Sequence, residues 1–125
     1  MLGVDHDPEP EIRYFASLGQ ASAARQKIWD DKSQLTLLYR ANELAGEAGE
    51  MCNVVKKLER ERLGLRGSRA TLEDLADELA DVVICADLLA KAANINLDEA
   101  VARKFNKTSE KYNLPIRLIV PEDRK

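Results

Sequence analysis

Residues 41–59 read ANELAGEAGEMCNVVKKLE and residues 72–90 read LEDLADELADVVICADLLA, and these two stretches decide the fold. Small and apolar residues recur along the first stretch at spacings of three and four, which is the period of one apolar stripe on an α-helix. That stripe consists of Leu37, Ala41, Leu44, Ala48, Met51, Val55 and Leu58. The second stretch has the same period in its first half, so we predict two long helices.

Signals at the ends of these stretches extend the prediction to four helices and an all-α fold. Ser33 is expected to cap the second helix, and Thr71, followed by Asp74, resembles a capping box that opens the third. Glycines after the second helix and asparagines after the third are typical of helix ends. The predicted helices cover residues 11–30, 34–63, 71–93 and 97–112.

The chain divides into a helical domain with a short segment at each end. Residues 1–10 contain two prolines and are expected to form a flexible arm before the helical domain at residues 11–112. Residues 113–125 are expected to form an extended tail, with a β-like run at 116–120.

Length and composition limit the class of protein. A chain of 125 residues has room for one domain, and 33% charged residues are typical of amphipathic helices with solvated outer faces. A net charge of −3 gives no reason to expect a nucleic-acid binder, for which a basic surface is typical. The sequence has no apolar run of the roughly 20 residues that a helix needs to span a bilayer, so we expect no membrane span. Its opening stretch is acidic, so we expect no signal peptide. Cys52 and Cys85 are expected to be reduced core thiols of a cytoplasmic protein.

The second half of the third predicted helix, VVICADLLA, is apolar on nearly every side. Such a helix must be covered on every side, and three partner helices from a short chain would cover it incompletely. We therefore expect a homo-oligomer, in which a second subunit completes the helical bundle. Asp87 lies inside this run and needs a polar partner, which the sequence does not identify.

Pairs of carboxylates stand three residues apart on both long helices. Glu47 and Glu50, with Glu43 one turn earlier, share one sector of the second helix, and Glu78 and Asp81 share a sector of the third. If the two helices were antiparallel neighbours, these sectors would face each other. Carboxylates so close together repel unless a cation lies between them, and hard oxygen ligands suit Mg²⁺ or Mn²⁺.

Spacing alone leaves another interpretation open. In a chain this rich in charge, Glu-x-x-Glu pairs commonly mark a solvated helix face. A di-iron carboxylate bundle does not fit, because it usually needs two Glu-x-x-His motifs and the sequence has only His6.

The two quoted stretches together closely resemble the MazG-like branch of the all-α nucleoside triphosphate pyrophosphohydrolases. A Glu-x-x-Glu on one helix and a Glu-x-x-Asp on the next mark that family. The resemblance covers residues 25–112, and its RQKIW segment is similar to the deoxycytidine triphosphate pyrophosphatase-like members. One position departs from many members, which have a further Glu where this chain has Gly46.

The resemblance implies a four-helix bundle that forms a homodimer or a dimer of dimers. It implies Mg²⁺-dependent cleavage of a (deoxy)nucleoside triphosphate to the monophosphate and pyrophosphate, with Mn²⁺ as a substitute metal. The implied metal ligands and catalytic residues are Glu47, Glu50, Glu78 and Asp81. Glu43 is expected to take over the role of the acid missing at Gly46, as a supporting group or a general base.

Further side chains are expected to contact the substrate. The segment KFNKTSEKY resembles the family's closing lysine-containing segment and favours Lys104, with Asn106 and Lys111 as weaker candidates. Lys56, Lys57 and Arg60 follow the acids along the second helix, although a solvated charge is the favoured interpretation for each of them. Trp29 is expected either to stack on the base or to anchor a core or interface, and Asn42 to hydrogen-bond a base edge.

Two other functions remain open from the sequence. One keeps the hydrolysis but changes the substrate to a modified or alarmone-like nucleotide. The other is a non-catalytic helical dimer that serves as an interaction module, although all four acids expected of a catalyst are present.

Overall fold

A computed structural model describes residues 9–121 and consists of four helices. They are α1 (Leu18–Trp29), α2 (Leu37–Arg62), α3 (Leu72–Ala92) and α4 (Leu97–Lys111). The all-α prediction is confirmed, and no strand forms between residues 9 and 121. The arm predicted at residues 1–10 falls almost wholly outside the described residues.

The first two helices begin later than the sequence predicted. α1 starts at Leu18, not at residue 11, because the Ser17 hydroxyl accepts a hydrogen bond from the Gln20 N–H and caps the helix there. α2 is capped by Thr36, not by Ser33. Ser33 instead adopts a left-handed conformation, with φ of 51°, inside the turn between α1 and α2.

The Asp30 carboxylate holds that turn together. Its two oxygens accept hydrogen bonds from the backbone N–H groups of Gln34 and Leu35, each at 2.9 Å. These bonds lower the pKa of the Asp30 carboxyl. The turn therefore sets the direction in which the chain passes from α1 to α2.

The predicted ends of α3 and the start of α4 are confirmed. Thr71 and Asp74 form a reciprocal capping box, with hydrogen bonds of 3.1 and 2.8 Å. Asn94 ends the α3 segment with a left-handed φ of 56°, and the Asn96 side chain caps α4.

α3 is the central helix, because α1, α2 and α4 all pack against it. α2 and α3 form a helical hairpin, joined by the loop of residues 63–71. Gly67 lies in that loop at φ of 138° and beneath the Arg60 guanidinium, where a Cβ atom would collide. The hairpin loop therefore requires glycine at this position.

The buried core of the described residues is small. It consists of Val54, Ala70, Cys85, Leu88, Ala90 and Ala102, with Ser22, Arg40, Asp87 and Ser109 as buried polar residues. Cys85 is a core thiol as predicted, but Cys52 is exposed, so that prediction is wrong. Counted at ~100° per residue, Cys52 lies about 140° around α2 from Glu47, away from the side that faces α3.

The apolar half of α3 is only partly covered within one chain. Leu88 and Ala90 are buried, whereas Val83 remains 53% exposed. Asp87 is 4% exposed, and its partner is Lys91 one turn later, whose Nζ lies 3.1 Å from Oδ2. Among the described helices, none is long and apolar enough to cross a membrane.

The C-terminal segment is held by one side chain of α4. The Asn106 amide donates a hydrogen bond to the Leu118 carbonyl at 2.9 Å and accepts one from the Leu118 N–H at 2.7 Å. Residues 113–121 form neither helix nor strand, so the β-like run at 116–120 stays irregular.

Candidate metal centre

The α2–α3 hairpin brings three glutamates together. Glu47 and Glu50 of α2 and Glu78 of α3 each place a carboxylate oxygen within 4.8 Å of the other two. The pairs on each helix follow from the three-residue spacing, and the hairpin supplies the contact between them. The sequence-based expectation that the two acidic sectors face each other agrees with this arrangement.

Asp81 lies beside this group of three. Its negative charge raises the pKa of both the Glu47 and the Glu78 carboxyl, although its oxygens lie outside the 4.8 Å cluster. Its side chain is exposed, so it borders the cluster on the solvent side.

Two of these carboxylates have buried oxygens without a hydrogen-bond partner. Glu47 Oε2 and Glu78 Oε2 are enclosed by protein, and no donor reaches either of them among the described residues. Buried polar atoms are almost always paired, because an unpaired one loses its hydration without compensation. Carboxylate oxygens of this kind are the donors that a hard divalent cation binds, so the cluster could hold one.

The electrostatics of the cluster point the same way. Burial raises the pKa of Glu47, and the charges of Glu50, Asp81 and Glu78 raise it further. Burial likewise raises the pKa of Glu78, followed by the charges of Glu50, Asp81 and Asp77. The folded chain therefore holds these carboxylates where their ionised forms repel one another, and a cation would relieve that repulsion.

Glu43, expected as a supporting or general-base acid, has a partner of its own. Its Oε1 accepts a hydrogen bond from Arg40 Nη1 at 2.8 Å, and Arg40 Nη2 donates to Gln26 Oε1 of α1 at 2.6 Å. Sequence reasoning missed Arg40 and Gln26. The three-residue spacing of Arg40 and Glu43 signalled the first contact, but nothing in the sequence signalled the second.

Lys56 does not share a face with the acids. At ~100° per residue it lies about 180° around α2 from Glu47, whereas Lys57 lies within about 20° of Glu50. Lys57 is half-buried and Lys56 is exposed. The same count, applied to the sequence, would have favoured Lys57.

The other expected substrate contacts lie apart from the acids. Both polar atoms of the Asn106 amide bind the C-terminal segment. Asn42 donates to the carbonyl of Leu38 in its own helix. Lys104 and Lys111 are on α4, and within the described range no hydrogen bond or ion pair joins them to the acids.

Trp29 is the last residue of α1 and is 76% exposed. It is therefore no core anchor within one chain. Its indole is available to a ligand or to another subunit.

One comparison with known proteins gives a match. The family model described as the MazG nucleotide pyrophosphohydrolase domain matches residues 35–113, which is more than half of the chain and includes all four expected metal ligands. A search of curated proteins found no match. α1, with Trp29 and Gln26, lies outside the matched region.

The raised pKa values of Glu47 and Glu78 predict how pH and Mg²⁺ affect stability. A carboxyl whose folded pKa exceeds its unfolded value of 4.5 stabilises the fold below that value and loses this contribution as pH rises through the folded pKa. Mg²⁺ should therefore raise the melting temperature more at about pH 8 than at about pH 5.

Thermal unfolding with Mg²⁺ and with a chelator, at both pH values, measures this difference. Glu73→Gln, an exposed α3 acid outside the cluster, should keep the wild-type response. An equal Mg²⁺ effect at both pH values would contradict the assignment.

Proposed function

This chain belongs to the MazG nucleotide pyrophosphohydrolase family, and from that premise we infer that it hydrolyses (deoxy)nucleoside triphosphates to monophosphate and pyrophosphate. The observation that carries the proposal is a pair of buried oxygens, one of Glu47 and one of Glu78, that have no hydrogen-bond partner among residues 9–121 and lie inside a cluster of carboxylates. An anionic substrate would be repelled by these acids alone, so the activity requires a divalent cation.

Mg²⁺ is the proposed cation, with Mn²⁺ as its substitute. Glu47, Glu50 and Glu78 would hold it, and Asp81, whose charge acts on two of them, is proposed as the fourth ligand. When bound, the cation would supply positive charge to the phosphate oxygens and would lower the pKa of an attacking water. The protein's part is to fix the carboxylates before the substrate arrives, so that no further reorganisation is needed.

Positive side chains complete the proposed phosphate site. Of the basic residues on α2, Lys57 lies nearest to Glu50 in angle around the helix axis, and we propose it for this role in place of Lys56. Lys104 and Lys111 of α4 are proposed to reach the phosphates of a site in the assembled oligomer. Asn106 and Asn42 are left out, because their amides already bind the protein backbone.

A homo-oligomer belongs to the same proposal. Leu37 and Val55 of α2 and Leu79 and Val83 of α3 are each roughly half exposed in one chain. A second copy would cover these side chains and gain the free energy of burying them, about 25 cal/mol per Å². A homodimer or a dimer of dimers acting in the cytoplasm is the proposed form.

The proposed ligand set predicts the effect of single substitutions. Glu50→Gln or Glu78→Gln should lower turnover by roughly a hundredfold or more, because several kcal/mol of charge stabilisation are lost while the helices stay folded. Pyrophosphate release from a panel of nucleoside triphosphates with Mg²⁺ measures this loss. Glu73→Gln, on the outer side of α3, is the matched control. Full activity in either cluster variant would rule out the assignment.

The exposed apolar faces predict that the chain self-associates. Wild-type protein should sediment as a species heavier than the 14.0 kDa chain, and Val83→Arg should produce monomer or aggregate. Leu88 in the same apolar run is buried, so a substitution there would test folding instead. Ser68→Arg in the hairpin loop is the control. A wild-type chain that stays monomeric at micromolar concentration would refute the proposed oligomer.

The exposure of Trp29 predicts a role in binding the base. Trp29→Ala should raise KM by the loss of ~1–3 kcal/mol of stacking while kcat survives, with little change in melting temperature. Ile28→Ala is the matched control, since Ile28 is also 76% exposed on the same turn. Measurement of KM with nucleotides of two different bases, together with the melting temperature, distinguishes base stacking by Trp29 from a structural role. An unchanged KM for every nucleotide would exclude base stacking by Trp29.

A further inference from the structure

Arg40 is a buried cation, only 6% exposed, two turns before Glu47 on α2. A guanidinium is always charged and only donates hydrogen bonds, so burial requires acceptors on the protein. Glu43 supplies one at 2.8 Å and Gln26 supplies the other at 2.6 Å. Because Gln26 belongs to α1, two helices fix the guanidinium in place.

Glu43 faces the same surface as the metal-binding acids. It lies one turn from Glu47 on α2. Burial is the main cause that raises the pKa of the Cys85 thiol, and the charges of Glu43, Glu47 and Asp81 raise it further. Arg40 acts on the same thiol in the opposite direction. Without Arg40, Glu43 would add a further uncompensated negative charge at the edge of the cluster.

We propose that Arg40 is a positioning residue that neutralises Glu43, so that a cation at the centre of the cluster experiences no net charge from Glu43. The proposal rests on the metal-dependent function proposed above. As an ion pair, Arg40 and Glu43 add almost no net charge to the field at the metal ligands. Removal of either partner leaves a whole unit charge behind.

The expected effects on cation affinity follow from this charge balance. Arg40→Met leaves Glu43 uncompensated and should tighten binding, whereas Glu43→Gln leaves the guanidinium uncompensated and should weaken it. The double variant removes both charges and should restore the wild-type affinity. Across ~10 Å of α2, one unit charge should change the affinity of a divalent cation by several-fold to about tenfold.

The experiment titrates the full-length chain with Mn²⁺ alone, without nucleotide, and reads free Mn²⁺ by electron paramagnetic resonance. Arg40→Met should bind Mn²⁺ most tightly and Glu43→Gln most weakly. Wild type and the double variant should bind equally, with an affinity between these two. Gln26→Leu is the matched control for packing, because it breaks the second contact of Arg40 and keeps both charges. It should lower the melting temperature and leave Mn²⁺ affinity unchanged. Arg40→Lys should bind Mn²⁺ as wild type does.

Three results would overturn the proposal. A double variant as weak as Glu43→Gln would make Glu43 a ligand in its own right. An Arg40→Met variant that binds as wild type does, or a Gln26→Leu variant that changes affinity as much as Arg40→Met, would leave Arg40 only a structural role. Arg40→Gln takes the place of Arg40→Met if the latter does not fold. If wild-type protein bound no Mn²⁺, the proposed function itself would fail, which is a distinct outcome.

Discussion

Repulsion among carboxylates on the α2–α3 hairpin is the constraint on which the rest of the structure depends. Two helices that each carry acids on their facing sides would separate unless something held them together. α2 and α3 form the most extensive helix contact of the described fold, and both carry buried apolar side chains, Val54 on α2 and Cys85 and Leu88 on α3. The raised pKa values of Glu47 and Glu78 follow from burial and from the repulsion that remains between the neighbouring carboxylates. A cluster of this kind is expected where a protein binds a charged partner.

The helices were largely predictable because their signals are local. The apolar period, the Thr71–Asp74 capping box and the asparagines around residue 95 all act within one or two turns, and α3 and α4 begin where these signals indicate. The starts of α1 and α2 were misplaced because several residues near each start are able to cap a helix. The choice of Thr36 over Ser33 depends on the turn that Asp30 holds, which the sequence did not reveal.

The site was predictable to the extent that helix geometry determines it. Spacing alone puts Glu47 beside Glu50 and Glu78 beside Asp81, and the family resemblance pairs the two helices. Contacts between residues distant in sequence were not predictable. Arg40 reaches Gln26 across 14 positions, and Asn106 reaches Leu118 across 12, so neither partner follows from a local pattern. Cys52 was misassigned for a simpler reason, since it lies on a face of α2 turned away from α3.

The arrangement of the helices around α3 has a consequence for how such a protein can diverge. The acids belong to one hairpin, whereas Trp29 and Gln26 belong to α1 and the lysines of KFNKTSEKY to α4. The three clustered glutamates come from α2 and α3 alone, and α1 lies outside the stretch that matches the family model. A substitution in α1 or α4 therefore removes none of these acids, so the sequences of the outer helices are able to diverge without loss of the cluster's own ligand atoms.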